Sequence, residues 1–463
     1  MRRRSPGSLL AAAALAWPSP ARALKVWPEI DADHLLDGNI GRVVRVAGRM
    51  SATPEVRTRE PFRKQARMCF ELLEDVLPEE HRARLLWRVV ETLDLSEFVR
   101  GRKSVKGHAG RDVTSVRMLL TLWLYAISSG IGSAREIERR LGTDDAFRWI
   151  AGKERVGRTV LSEFRTDRLE ALDLLFSNVL GTLVHKGLLS LDLVAQDGTR
   201  VRASASAPSF RQETSLEACR EQARLHVQAV RAEGDDPEAT DAEKRGREAA
   251  AHDYARRVEE AIVVVKELAA EGKKKPRAST TDPEARVMKM GDGGFRPAYN
   301  VQLATAGSPE GGPRTIVGVR VTNLGSDVGS ITPMLDEIER RTGALPKTLL
   351  ADGGHLKFDC LRTAETKGVT VLMPLPAPSK DPQSPRGAYD APILAFRARM
   401  ETPEAKELYR ARAGLAELPN AHFKGRLGLG QFLVRGLANV TSVALLTGLT
   451  FNLLGHASSL LGS

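Results

Sequence analysis

Residues 189–203 read LSLDLVAQDGTRVRA, an alternating stretch that predicts a β-strand with an acid near its end. Leu193, Ala195 and Asp197 fall on one face, because successive side chains of a strand point to opposite sides. A carboxylate on an otherwise apolar face needs a partner, which a divalent metal, an arginine or a tight turn can supply. Asp197-Gly198 is also a strong hairpin dipeptide. The stretch alone therefore leaves a functional acid and an ordinary turn open.

The composition indicates a soluble globular protein with a basic charge balance. The chain has 463 residues, of which 42% are hydrophobic, enough for two or three domains with a packed core. Its net charge of +11 is typical of proteins that contact phosphate backbones. The three cysteines, Cys69, Cys219 and Cys360, form no CxxC pair, which argues against a disulfide framework or a zinc site. We therefore expect a cytoplasmic protein.

The N-terminus resembles a secretory signal, with a basic start, a short apolar run and an A-R-A site. The apolar run is too short to span a bilayer, and export fits poorly with a basic, cysteine-poor protein. We interpret residues 1–60 as an extension that is disordered or wrongly started, with Met50 as an alternative start. We expect no membrane partner.

Residues 61–187 have a helical pattern. HRARLLWRVVETLDLSEFV and SVRMLLTLWLYAIS place apolar residues at three- and four-residue spacing without an internal glycine or proline. In SGIGSAREIERRLGTDDAFRWIAG, Ser133 is positioned to cap a helix, with Glu136 three residues on. These short helices could form a helix-turn-helix on DNA, or an ordinary bundle with solvated arginines. The candidate DNA contacts here are Arg135, Arg139 and Arg140.

The rest of the chain predicts a mixed sheet covered by helices. Residues 209–275 are charged and helical, as in a hairpin of two long helices. Strand patterns follow at 296–305 and 315–322, and then come a helix ending at Gly343, a strand, a helix and a strand. This order of elements implies an α/β fold.

Two further acids are candidates for chemistry. Asp352 ends the apolar run LLAD and precedes Gly-Gly-His, at the end of a strand where open sheets place their active sites. Glu417 lies in the helical segment ELYRARAGLAEL, where an exposed surface glutamate is the ordinary interpretation. Together with Asp197, these carboxylates could bind two Mg²⁺ ions and support phosphodiester chemistry.

Five blocks of the sequence carry a resemblance to a known family. They read SGIGSAREIERR, AQDGTRVRASAS, STTDPEARVMKMGDGGFRPAYNVQLAT, LLADGGH and YRARAGLAELPNAHFKGRLGLGQFLVRGLANV. In this order they resemble bacterial insertion-sequence transposases of the DDE type, in the insertion-sequence-five superfamily and its relatives with a long helical insertion. The resemblance extends from about residue 52 to the C-terminus.

The resemblance implies a ribonuclease-H-like catalytic core with the triad Asp197, Asp352 and Glu417 as catalytic residues and metal ligands. Two ions of Mg²⁺, or Mn²⁺, are expected. Asp192 lies on the opposite face of its strand and Asp292 lies in a glycine-rich turn, so both rank lower. The loop 282–296 and several side chains are then candidates for holding DNA near the metals: Arg200, Arg202, Arg296, Tyr409, Arg412 and Lys424.

The helix that carries the third acid contains residues that disfavour a regular helix. Pro419 follows Glu417 by two residues, and a proline removes a helical hydrogen bond and clashes with the carbonyl four residues back. Gly414 weakens the same helix by about 1 kcal/mol relative to alanine. We therefore expect a distortion at the catalytic acid.

The resulting hypothesis is a DNA transposase that binds terminal inverted repeats, hydrolyses phosphodiester bonds at the element ends and joins the 3′-hydroxyls to target DNA. The expected domains are an all-helical DNA-binding and assembly domain at 61–187 and a catalytic domain at 188–463 with a helical insertion at 208–278. Pairing two DNA ends implies a dimer or higher oligomer. The alternatives are a catalytically inactive DNA-binding derivative and a nuclease of the same fold.

Overall fold

The computed structural model describes residues 72–100, 113–232, 240–374 and 390–462. By packing, the chain divides into one unit at Met1–Met68 and another at Cys69–Ser463, and every described residue belongs to the second. The interpretation of residues 1–60 and of Met50 lies outside the described residues.

Short and medium helices fill the first part of the described chain, as the helical pattern predicts. Ser133 Oγ accepts a hydrogen bond from Glu136 N, which confirms the predicted cap. The apolar helix over the predicted segment SVRMLLTLWLYAIS is buried along most of its length. The helices are α1 Arg82–Glu91, α2 Ser96–Val99, α3 Val116–Ser128, α4 Ala134–Arg140, α5 Asp145–Ala151, α6 Arg158–Thr166 and α7 Leu169–His185.

A six-stranded mixed sheet forms the centre, which confirms the predicted mixed sheet. The strands of the described chain are β1 Leu193–Arg202, β2 Phe210–Arg211, β3 Ala278–Ser279, β4 Arg286–Lys289, β5 Phe295–Ser308, β6 Gly311–Thr322, β7 Thr348–Leu350 and β8 Thr370–Leu372. The main path runs β4-β5-β1-β7-β8, and β6 also pairs with β5; β2 and β3 form a separate small ribbon. β1 is antiparallel to β5 and parallel to β7, which is parallel to β8.

The turn that Asp197-Gly198 suggests does not form. β1 continues to Arg202, and both residues pair in the ladder, Asp197 with Leu303 and Gly198 with Gln302. A Cβ at Gly198 would lie 2.2 Å from Gln302 Nε2 and 2.4 Å from Asp327 Oδ1. The glycine therefore admits a close approach of polar side chains, and of the two interpretations that the sequence left open, the turn is wrong.

The charged segment after β1 forms two long helices, as predicted, α8 Glu213–Ala232 and α9 Asp241–Ala270. Thr240 and Glu243 form a capping box at the start of α9. Leu216 of α8 packs with Val258 and Ile262 of α9 in a small core of its own. These contacts hold the helix pair together apart from the main core.

The remaining helices flank the sheet. They are α10 Ile331–Thr342, α11 Phe358–Thr366, α12 Ala391–Glu401, α13 Pro403–Arg412, α14 Leu418–Lys424 and α15 Leu437–Leu461. α10 ends at Gly343 in a left-handed conformation, which is the predicted C-cap. α15 packs against β6, α7, α3, α6 and α1, and Asn452 on it hydrogen-bonds both backbone groups of Ile316. One hydrophobic core therefore joins the first helices to the sheet.

The helix α15 is long and apolar enough to cross a membrane by length and composition. In this structure 67% of that apolar window is buried inside the protein. Its contacts with β6 and α7 identify it as a core helix.

Candidate active site

The register between two parallel strands, β1 and β7, places the first two predicted acids side by side. Ala195 of β1 pairs with Leu350 of β7. Asp197 and Asp352 each lie two residues beyond that pair, at the carboxyl end of the parallel ladder. The two acids therefore meet at one edge of the sheet, although the sequence separates them by a long span.

The third acid lies on a distorted helix, as the proline and glycine predict. Residues Ala413–Glu417 form one π-helical turn between α13 and α14. Pro419 lies in the first turn of α14, where its missing N–H costs little. The π turn packs against β1 and β5, with Leu415 buried. It thereby brings the Glu417 segment to the sheet near the other two acids.

A single guanidinium lies among the three carboxylates. Arg412 Nη2 lies 3.4 Å from Asp197 Oδ1 and 4.0 Å from Asp352 Oδ2, and Arg412 Nη1 lies 3.3 Å from Glu417 Oε1. The exposed fractions of the side chains are 14% for Arg412, 18% for Asp197, 41% for Asp352 and 62% for Glu417. The three acids thus converge on one cation, and the cluster is most exposed at Glu417.

Asp197 is the most enclosed acid of the cluster. Burial raises its pKa, Arg412 opposes that shift, and the nearby Asp352 charge adds to it. Asn420 Nδ2 donates to Asp197 Oδ2 at 3.0 Å, and Gly198 N donates to Asp197 Oδ1 at 2.9 Å. Asp197 is therefore fixed by donors on both of its oxygens.

Asp352 is held by a histidine and by a loop. His355 Nδ1 lies 2.6 Å from Asp352 Oδ1, and this hydrogen bond is the main cause that lowers the Asp352 pKa. Gly354 N also donates to Asp352 Oδ1. On its other side His355 Nε2 lies 3.2 Å from Gln302 Oε1, and Gln302 Nε2 donates to Asp327 Oδ1 at 2.5 Å. A buried polar chain therefore supports the second acid from behind.

The candidate DNA contacts near the cluster have different surroundings. Arg200 pairs with Asp327 at 2.9 Å and Arg296 pairs with Asp292 at 2.7 Å. Lys424 lies close to Arg200 and Asp197, and burial together with Arg200 lowers its pKa. Tyr409 OH donates to Ala351 O at 3.2 Å, which anchors α13 beside the second acid.

The remaining candidates lie away from the three acids or are tied into the scaffold. Arg139 and Arg140 both pair with Glu136, and Arg135 is exposed. Arg202 is exposed at the end of β1, where its backbone N–H donates to Gly430 O and its carbonyl accepts from Phe432 N. These positions are consistent with contacts to DNA outside the acid cluster.

The acids that ranked lower lie in other contexts. Asp192 is exposed and pairs with Lys347 at 2.5 Å. Asp292 is exposed in a turn and pairs with Arg296. Asp282, at the start of the loop proposed for DNA, is completely buried and accepts from Tyr299 OH at 2.7 Å. Asp282 is therefore a structural carboxylate, not a surface contact.

The donor set suits a hard divalent cation. Three carboxylates supply the oxygen ligands that Mg²⁺ prefers, and the guanidinium among them shows that a positive charge is accommodated at their common centre. Asn420 Oδ1, next to Asp197, is buried without a hydrogen-bond partner. Among the described residues, no group of three or more His, Cys, Asp or Glu side chains has the spacing of a formed metal site. Arg412 lies between the three acids.

Two family models match the chain. Residues 71–167 match a transposase domain (DUF772), and residues 270–453 match a transposase DDE domain. The chain belongs to the DDE transposases. No curated protein and no solved structure matches it significantly.

The family agrees with the fold and with the chemistry of the acids. A DDE domain implies a ribonuclease-H-like core, and the mixed sheet flanked by helices is consistent with one. DDE transposases are generally metal-dependent enzymes that cleave nucleic acid. Asp352, Arg412 and Glu417 fall inside the matched DDE segment, whereas Asp197 lies outside both matches. Strand register and Arg412 connect Asp197 to the others.

Sequence reasoning missed several polar groups that hold the acids. Asn420 lies three residues after Glu417, one helical turn away, and this spacing was an available signal. His355 follows Asp352 in the Gly-Gly-His run that the sequence shows. Gln302 and Asp327 gave no such signal, because they reach the site only through sheet pairing and a loop.

Proposed function

We propose that this DDE transposase binds the terminal inverted repeats of its element, hydrolyses a phosphodiester bond at each end and joins the freed 3′-hydroxyls to target DNA. The observation that supports this proposal best is the convergence of Asp197, Asp352 and Glu417 on the Arg412 guanidinium. Three acids around one cation, enclosed at Asp197 and exposed at Glu417, fit a site for in-line displacement at phosphorus.

In this proposal, Asp197, Asp352 and Glu417 hold two Mg²⁺ ions. Such ions supply an activated water or 3′-hydroxyl and stabilise the leaving oxygen. Asn420 and the Gly198 N–H orient Asp197, and His355 and the Gly354 N–H orient Asp352. Arg412 keeps the acids together without ions.

DNA is the expected partner, because the family acts on it and the chain is basic. We propose that the helices at 61–187 serve in DNA binding and assembly. The catalytic domain then covers 188–463, with α8 and α9 as an insertion at 208–278. Arg200, Arg202, Arg412 and Lys424 are proposed DNA contacts near the acids. Pairing of two element ends requires at least a dimer. We propose that the protein acts on DNA in the nucleoid.

A strand-transfer assay tests the function. Oligonucleotides that carry the element ends are incubated with wild type, Asp197→Asn, Asp352→Asn or Glu417→Gln, in Mg²⁺ and in chelator. We expect metal-dependent nicking and joining by wild type, and a loss of at least about a thousandfold in each variant, because the metals lose a charged ligand. Asp336→Asn, at an exposed aspartate of α10 paired with Lys367, is the matched control.

Three other outcomes would contradict the proposal in different ways. Salt-sensitive DNA binding without nicking in wild type identifies a catalytically inactive DNA-binding derivative. Cleavage without joining identifies a nuclease of the same fold. Full activity of Glu417→Gln assigns the third ligand to another acid.

A further inference from the structure

A cavity of about 650 Å³ lies between the first helices and the catalytic sheet. Its walls come from the turn after α3, from α6, from the end of β1 and from the segment 427–433. Four basic side chains line it, namely Arg140, Arg165, Arg202 and Lys424, together with one acid, Glu136. Glu136 is already paired with Arg139 and Arg140. The lining therefore carries an excess of positive charge.

The wall of this cavity contains a buried cation without a counter-ion. Arg165 is only 5% exposed, and no carboxylate of the described residues lies within ion-pair distance of it. Its Nη1 donates to Gly132 O at 2.5 Å, its guanidinium lies 4.6 Å from the centre of the Trp123 ring, and its Nε has no hydrogen-bond partner. Burial alone lowers the pKa of Arg165 to about 10, so the group stays charged at neutral pH.

Two other buried arginines of the described chain show what is missing at Arg165. Arg341 lies over Phe176 at 4.8 Å and pairs with Asp173 at 2.5 Å and Glu337 at 2.6 Å. Buried charges in proteins are normally paired in this way, because an uncompensated one is costly.

The other one, Arg84, lies over the Trp149 ring at 5.0 Å and pairs with Glu74 and Glu79. Arg165 thus has the aromatic partner of both other arginines but lacks their carboxylates. An anion that enters the cavity would supply the missing charge.

The position of the cavity indicates which anion would bind in it. Lys424, on its wall, lies close enough to Asp197 for the carboxylate charge to act on its ammonium group. Arg202, another wall residue, is five residues beyond Asp197 on the same strand and has no ion pair in the described structure. Lys424 thus links the cavity to the acids, and a DNA strand with its scissile bond at the acids would pass Lys424 toward the cavity, whose Arg202 lies about 17 Å from Asp197 along β1.

We propose that this cavity is a phosphate site for DNA, in which Arg165, assisted by Arg202, binds a backbone phosphate next to the strand held at the acids. The proposal rests on the proposed function, since it assigns the cavity to the same substrate. The shared chemistry is a phosphate group, and free inorganic phosphate is the other possible source of it.

Binding of the full-length protein to a fluorescein-labelled duplex of arbitrary sequence tests the site, by anisotropy in chelator at about 50 to 200 mM salt. We expect Arg165→Met to bind about tenfold more weakly than wild type. Its slope of log affinity against log salt should be smaller by about 0.9, the value for one phosphate contact. Arg341→Met, which removes a buried, ring-stacked arginine of α10, should keep the wild-type slope.

Arg202→Gln gives the same information if Arg165→Met does not fold, because Arg202 is exposed and its main-chain hydrogen bonds survive the change. A second arm measures the melting temperature in inorganic phosphate and in chloride at equal ionic strength.

The proposal is overturned if Arg165→Met and Arg202→Gln bind DNA with the affinity and slope of Arg341→Met. It is also overturned if phosphate stabilises only the wild type while DNA binding is the same in all variants, since the site then takes a free anion. These binding measurements need no catalysis. A failure of strand transfer therefore contradicts the proposed function alone.

Discussion

Arg412 Nη2 lies 3.4 Å from Asp197 Oδ1. The negative charge of the most enclosed acid is therefore balanced by an arginine at the end of α13, the helix that leads to Glu417. The same guanidinium reaches Asp352 and Glu417. Without such a cation, three carboxylates at one place would repel one another. If the acids bind metal as proposed, we expect Arg412 and divalent ions to compete for the same three carboxylates.

This competition predicts how Arg412→Gln responds to metal. In chelator the variant should be about 1–3 kcal/mol less stable than wild type, because the acids lose their shared cation. Added Mg²⁺ should raise its melting temperature more than that of wild type, since binding to the folded state adds stability and no guanidinium has to be displaced. Thermal unfolding with and without Mg²⁺ measures both effects. Arg410→Gln, on the same helix and paired with Glu407, is the control. Equal Mg²⁺ increments in Arg412→Gln and wild type would rule out the competition.

We expect His355 to affect catalysis by positioning Asp352. Its Nδ1 lies 2.6 Å from Asp352 Oδ1, and the Gln302 amide holds its other nitrogen. We expect His355→Gln to lower Mg²⁺-dependent nicking about 10- to 100-fold, as is typical when the partner of a metal ligand is removed. DNA affinity in chelator should stay unchanged. His456→Gln, at a buried histidine bonded to Thr315, is the matched control. A parallel loss of DNA affinity, or of activity in the control, would indicate a general folding defect.

Much of this architecture follows from local patterns. Alternation marks β1, apolar spacing marks α3, and Gly343 ends α10 where the sequence indicates. Pro419 and Gly414 predict a distorted helix beside Glu417, and in the structure this distortion is the π-helical turn Ala413–Glu417. These features are local, because they depend on residues within one or two helical turns.

The support of the acids could not be predicted in the same way. Gln302 and Asp327 reach Gly198 through strand pairing and a distant loop, so no local pattern reports them. The Asp-Gly dipeptide favours a turn by local propensity, but strand pairing with β5 from Val194 to Arg202 outweighs that preference. Tertiary contacts decide this position.

Gly198→Ala tests that conclusion. The added methyl group would lie within 2.4 Å of Gln302 Nε2 and Asp327 Oδ1, whose hydrogen bonds restrict their movement. We expect a loss of about 1–3 kcal/mol in the free energy of unfolding, as for other overpacked sites. Gly181→Ala, in α7 with nothing within 4 Å of its new Cβ, should instead gain about 0.5–1 kcal/mol. Urea denaturation compares the two. A neutral effect of Gly198→Ala would show that the polar network yields easily.

Asp282 predicts a pH dependence of stability with a defined sign. Burial raises its pKa above the ordinary value of 3.8, against the hydrogen bonds from Tyr299 and Gly436, and its Oδ2 has no partner. The folded state therefore holds this proton more tightly than the unfolded state. The contribution of Asp282 to stability is complete below pH 3.8 and is lost as the pH rises through the raised pKa.

Urea denaturation of wild type and Asp282→Asn across the weakly acidic range measures this contribution. The stability of wild type relative to the variant should fall as the pH rises, by about 1.4 kcal/mol for each pKa unit between the folded and unfolded states. Asp292→Asn, in the same loop, is the opposite control, because hydrogen bonds from Arg296 lower the Asp292 pKa. Its contribution is present above pH 3.8 and is lost as the pH falls through the lowered pKa. If wild type and Asp282→Asn kept a constant difference in stability, the buried carboxylate would not be titrating in this range.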